Sequence, residues 1–192
     1  MSSHTDAFQD ALQKRRRLGV LVAIGIVLAA GGGVLAVMFW PPPAAPAGAQ
    51  VALSTVEGEG FSLGCPEGWR SHGGKLITCN ASDEPTAMCI VVAEPLGSAM
   101  SPEDYWKQAQ RFSRMMMGGA AHERDARNYS VGDLRVRRII TDDDGISEPT
   151  HHLYYIYVPE KTAFVVTCSS PSRRFDALLP TFETVAQSFR LK

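Results

Sequence analysis

Residues 151–168 read HHLYYIYVPEKTAFVVTC. HHLYYIYV (151–158) and AFVVTC (163–168) are dense in aromatic and β-branched side chains, and PEKT between them reads as a turn, so the stretch predicts two neighbouring strands. Apolar residues fall on both parities of these runs. A sheet with one wet face alternates more cleanly, so cover is expected over much of both faces. Working outward, LRVRRIIT (134–141) is a further strand that ends in the turn signal DDDG (142–145). FSLGC (61–65) and KLITC (75–79) read as two strands with GWRSHGG between them, and AMCIVVAE (87–94) as another.

Two helices can supply the cover. Ser101-Pro102-Glu103-Asp104 offers a Ser N-cap, Pro at the first helical position and an acidic residue at the third. Tyr105, Ala109, Phe112 and Met116 then recur at helical spacing until Gly118-Gly119. In SRRFDALLPTFETVAQSFRL (172–191), Phe175, Leu178, Phe182, Val185 and Phe189 form one apolar stripe, and Pro180 is expected to kink or divide the helix. The chain order is strands, helix, strands, closing helix. The expected class is α+β, an antiparallel β-sheet flanked by helices.

A different segment precedes this domain. In KRRRLGVLVAIGIVLAAGGGVLAVMFWPPP (14–43) no residue from Leu18 to Trp40 is charged. As a helix that run is about 34 Å long, enough to cross a hydrocarbon core of about 30 Å. Lys14, Arg15, Arg16 and Arg17 outweigh Asp6 and Asp10, giving residues 1–17 a net charge of about +2. Basic residues resist translocation, so 1–17 is expected as a cytoplasmic tail and 18–40 as a single transmembrane helix in the inner (plasma) membrane. Trp40 suits the interface, and Pro41, Pro42 and Pro43 end the helix. The span is longer than a signal-peptide core. The competing reading is cleavage near Ala45-Pro46-Ala47, which would release a secreted domain. Gly25, Ala29 and Gly33 make a small-residue stripe that offers a homodimer contact within the bilayer. Residues 41–57 read as a Pro/Ala-rich linker and 58–192 as the extracytoplasmic domain.

FSLGCPEGWR (61–70), the helix opened by SPEDYW, VGDLRVRRI (131–139) and the closing ETVAQSFRL together resemble the PsbP-like fold. That fold is shared by the PsbP subunit of the oxygen-evolving complex and bacterial DcrB-like proteins. The likeness covers roughly residues 58–191, and Pro66-Glu67-Gly68-Trp69 and Ser188-Phe189 carry most of it. It implies an α/β/α sandwich and a bacterial source. The family is not known for a shared catalytic site, so the resemblance carries no functional residues over to this chain.

Cys65, Cys79, Cys89 and Cys168 all follow the span, on the side expected to be oxidising, and an even count favours disulfides. Three connectivities are open. Cys65–Cys79 is preferred because the residues between suit a hairpin, and Cys89–Cys168 because it ties an early strand to a late one. The latter closes about 80 residues, worth about 4 kcal/mol on the chain-entropy view. The spacings match no zinc module, and neighbouring His151 and His152 project to opposite faces of a strand, so no metal or cofactor is expected.

Residues 51–192 carry a net charge of about −3 with no basic block, which argues against nucleic acid. No nucleophile elbow, Walker loop or dinucleotide fingerprint is present. Arg135 and Arg137 share one strand face and suit an anionic partner, although cross-strand salt bridges are the commoner fate of such residues. Tyr155 and Tyr157 offer a binding surface if their sheet face is uncovered. The expected function is a single-pass, membrane-anchored extracytoplasmic binding or accessory module with a protein partner in the envelope. The alternative is an envelope hydrolase using His72, His122, His151 or His152.

Overall fold

The computed structural model describes residues 51–84, 86–117, 121–143 and 148–192. The tail (1–17), the span (18–40) with Gly25, Ala29 and Gly33, and the linker up to residue 50 lie outside the described residues. No helix among the described residues is long and apolar enough to cross a membrane.

The chain runs β1 (Leu53–Glu57), β2 (Phe61–Pro66), β3 (Arg70–His72), β4 (Leu76–Asn80), β5 (Met88–Pro95) and α1 (Pro102–Met117). It continues through β6 (His122–Val131), β7 (Leu134–Asp143), β8 (Thr150–Tyr157), β9 (Thr162–Pro171), α2 (Ser172–Gln187) and β10 (Arg190–Leu191). Seven strands form an antiparallel sheet in the order β3-β4-β5-β9-β8-β7-β6, and β1-β2-β10 form a smaller one.

The two-sided pattern of residues 151–168 is explained by two cores. Leu153, Tyr155 and Tyr157 of β8 join Phe164, Val166 and Cys168 of β9 beneath α2 and β2. Tyr154 and Ile156, with Ala163, face the other way against Tyr105 and Trp106 of α1. The domain is therefore α+β with helices on opposite faces of the large sheet. At the start of α1, Ser101 Oγ accepts the Asp104 N–H at 3.0 Å and donates to the Asp104 carboxylate at 2.7 Å, the cap that the sequence announces.

Several boundaries differ from expectation. Residues 53–57, read as the end of the linker, form β1 on β2, so the folded region begins before residue 58. The two strands around GWRSHGG are not a hairpin: β2 belongs to the small sheet, and β4 pairs with β3 and β5 in the large one. Pro180 lies inside α2 without dividing it. Its ring faces solvent, while Phe175, Phe182 and Val185, all fully buried, clamp both halves of the helix onto the sheet.

The residues that carried the family likeness have local reasons. Gly68 adopts φ +82°, which favours glycine, and the turn it makes lets the Trp69 N–H reach the Pro66 carbonyl at 3.1 Å. Trp69 then meets Phe182 of α2 edge-on, ring centroids 6.3 Å apart. Ser188 joins α2 to the small sheet: its Oγ donates to the Val185 carbonyl and accepts the Gly64 N–H at 2.7 Å. A Cβ on Gly64 would stand 2.9 Å from that same Oγ and 2.7 Å from Leu53, so only glycine lets β2 approach so closely.

Ser188→Ala leaves the Gly64 N–H without its acceptor. It should lower stability by about 1–3 kcal/mol, read as a lower urea midpoint with an unchanged m-value.

Candidate functional site

Tyr155 and Tyr157 do not form a binding surface. Both are 0 % exposed, and their hydroxyls are engaged, Tyr155 donating to Glu183 and Tyr157 to the Ala186 carbonyl. The sheet face they occupy is covered by α2, which is why the exposed reading fails.

The partner of Tyr155 belongs to a charged cluster that composition alone did not reveal. Arg138 Nε donates to Glu183 at 2.7 Å, and Arg138 Nη1 reaches Asp125 at 2.6 Å. Burial works against the Arg138 charge, but the bonds to Glu183 and Asp125 outweigh it and hold the guanidinium protonated. Bonds from Arg127 first, and then from Arg138, hold Asp125 below the usual carboxylate range. The cluster ties β6 and β7 to α2. Parity could have found it: Arg138 shares a strand face with the buried Val136 and Ile140.

Arg135 and Arg137 point to the opposite face, toward the beginning of α1. Arg137 is mostly buried; its Nη1 donates to Asn128 Oδ1 at 3.2 Å, and Nη2 stands 3.9 Å from Glu123. Arg135 is exposed and has no carboxylate within ion-pair distance among the described residues. It lines an open groove of about 390 Å³ with Ser101 and Glu103 of the α1 start and Asn128, Tyr129 and Ser130 of β6. Glu103 does not neutralise Arg135: it is bound to Lys107 at 2.8 Å, and that contact, with the charge of Arg137, lowers its pKa. The groove therefore offers one free guanidinium beside hydroxyl and amide groups, a set suited to an incoming carboxylate.

The position of α1 on its sheet face is fixed by two side chains that are apolar in body and polar at the tip, one reaching the strand Met88–Pro95 and the other the β6 edge. The Tyr105 hydroxyl donates to Glu94 at 2.6 Å, and Trp106 Nε1 donates to Glu123 at 2.9 Å. Burial raises the pKa of both Glu94 and Tyr105.

The histidines are dispersed. His72 and His122 are exposed, and His151 contacts Asp142 at 3.3 Å. His152 turns inward, its Nδ1 2.7 Å from Ser169 Oγ. None of the four lines the groove, and no group of three His, Cys, Asp or Glu converges among the described residues. The cysteines pair as Cys65–Cys79 and Cys89–Cys168, with Cα separations of 5.7 and 4.0 Å. Cys65–Cys79 links β2 to β4 between facing sheets, not across a hairpin.

His152 supplies a pH signature. Burial, with the neighbouring His151 charge, lowers its pKa to about 4 from an ordinary 6.5. The unfolded chain then binds the extra proton between these values, so this histidine costs the fold nothing above about pH 6.5 and destabilises it increasingly down to about pH 4. The loss is on the order of 3 kcal/mol. His152→Leu should flatten the unfolding midpoint between pH 6.5 and 4 relative to wild type, and an unchanged slope would contradict the assignment.

No protein-family model matches the sequence, and no curated protein aligns with it significantly. Solved structures do share the architecture. Cyanobacterial PsbP (CyanoP) from Synechocystis sp. PCC 6803 superposes with a TM-score of 0.57 at 14 % identity, covering 80 % of this chain and 100 % of that one. LpqN, involved in cell envelope biogenesis of Mycobacterium tuberculosis, gives 0.48 at 10 % identity over 74 % and 91 %. A Bacteroides thetaiotaomicron VPI-5482 protein gives 0.45 at 14 % over 69 % and 45 %. With its antiparallel sheet between α1 and α2, the domain has the PsbP-like fold.

Proposed function

We propose that the chain is a single-pass, membrane-anchored accessory module whose extracytoplasmic domain binds a protein partner in the cell envelope through the groove at Arg135. The observation that carries this reading is an open polar groove, at the edge of the large sheet, that holds an unpaired guanidinium and no nucleophile–base pair. The partner presents a carboxylate to Arg135. Asn128 and Ser130 orient it, and Arg137, held by Asn128, supplies a second positive charge behind the contact. The uncharged run 18–40 anchors the domain in the inner membrane, and the stripe Gly25, Ala29 and Gly33 supports a homodimer there. The secreted alternative differs in mass: cleavage near Ala45–Ala47 would place a shortened chain in the soluble fraction.

Two measurements test the reading. A photocrosslinking residue at Ser130 of the full-length protein should capture a discrete partner from intact cells, and Arg135→Glu should cut that yield at least about tenfold. Equal yields, or nonspecific background in both, would count against the groove. Alkaline phosphatase fused after Lys192 should be active and a cytosolic reporter silent. The reverse pattern would remove the anchoring topology.

A further inference from the structure

Cys79, Cys89 and Cys168 occupy consecutive strands of the large sheet in direct register: Cys79 lies opposite Cys89, and Cys89 lies opposite Cys168. All three side chains belong to the core beneath α2 and β2, and Cys65 reaches the row from β2 above it. The four cysteines thus form a chain of neighbours, Cys65, Cys79, Cys89, Cys168, in which the two outer pairs are bonded. In an antiparallel sheet a residue makes a narrow pair with one neighbouring strand and a wide one with the other. The Cys89–Cys168 Cα separation of 4.0 Å identifies the narrow side. Cys79–Cys89 is then the wide pair, with Cα atoms about 5.5 Å apart, within the range a disulfide spans, and Cβ atoms about 5.5 Å apart, which must draw together by about 1 Å for the bond to form.

We infer that Cys79–Cys89 is a third disulfide of this chain, formed by internal thiol–disulfide exchange whenever Cys65–Cys79 is opened. A dithiol reductant attacks Cys65–Cys79; the reductant is oxidised to its disulfide, and Cys65 and Cys79 become thiols. The Cys79 thiolate then attacks Sγ of Cys89, the Cys79–Cys89 bond forms, the Cys89–Cys168 bond breaks, and Cys168 leaves as a thiolate that takes up a proton. No net electrons move in the second step. The product keeps one disulfide inside the β4–β5 pair and frees the two outer cysteines. The same bond competes during maturation, because residues 79 and 89 are ten apart in sequence whereas the Cys89–Cys168 separation is 79. Loop closure favours the short pair roughly 20-fold. All four cysteines are at most 1 % exposed in the folded domain, so a reductant meets them only when the β1-β2-β10 sheet is lifted.

The test uses the full-length oxidised protein in a graded dithiothreitol series with rapid alkylation and peptide mapping. The two-electron-reduced species should carry labels on Cys65 and Cys168 with Cys79 and Cys89 linked. Labels on Cys65 and Cys79 alone, or direct passage to the fully reduced chain, would overturn the inference. Cys65→Ser gives an independent arm without added reductant: Cys168 should take a label in at least half of the molecules. Labelling of Cys79 in essentially all of them would likewise contradict it.

Discussion

The constraint on which this structure rests is that β8 and β9 are apolar on both faces, so neither face of the central sheet can meet water. Ile139, Tyr154, Ile156 and Ala163 require one layer of cover, and Leu153, Tyr155, Val166 and Cys168 require another. Apolar surface removed from water on both faces contributes about 25 cal/mol per Å². One helix suffices for the α1 face because its core is small. The other face takes α2 together with the small sheet, locked by Phe61, Phe164, Tyr157 and Phe189, whose ring centroids lie 4.6–6.1 Å apart along the packed chain of contacts.

With the centre closed on both sides, polar chemistry is displaced to the margin. β6 is the outer strand, and its charged residues face water or pair with one another, with β7 or with the two helices. A bulge between Glu123 and Asp125 interrupts its register, a feature that discourages indiscriminate edge pairing. The Arg138 cluster fastens this margin to α2 from one side, and the Trp106–Glu123 bond fastens it to α1 from the other. The groove at Arg135 thus sits on a rigid edge, and a partner that binds there meets a preformed surface, which lowers the ordering cost of association.

Much of this was legible in the residues. The Ser101-Pro102 start of α1, the stripe of α2 and the double-sided strands each follow a local rule that tertiary packing did not override. β6 was not legible because HERDARNYSV has no apolar alternation: an edge strand held by backbone pairing needs none. β1 was lost for a similar reason, since LSTVE places only Leu53 and Val56 against the core. The Cys65–Cys79 pairing was anticipated through a hairpin that does not exist, because a sheet change between β2 and β4 leaves no trace in composition, whereas Cys89–Cys168 does tie an early strand to a late one. Tyr155 and Tyr157 share parity with Leu153 and so read as a buried sheet face, with a binding surface only if that face were open, and α2 closes it. Arg135 emerged as the groove residue because its strand neighbour Arg137 is taken by Asn128, a long-range choice that spacing alone does not encode.

Native-state hydrogen exchange on the full-length protein tests the two-core account most directly. Amides of β8 and β9 should exchange only through global unfolding, while those of β6 exchange through smaller, local openings. Exchange of β9 at the rate of β6, with both slowed by no more than a fraying edge, would show that the central sheet is not closed on two faces and would contradict the account.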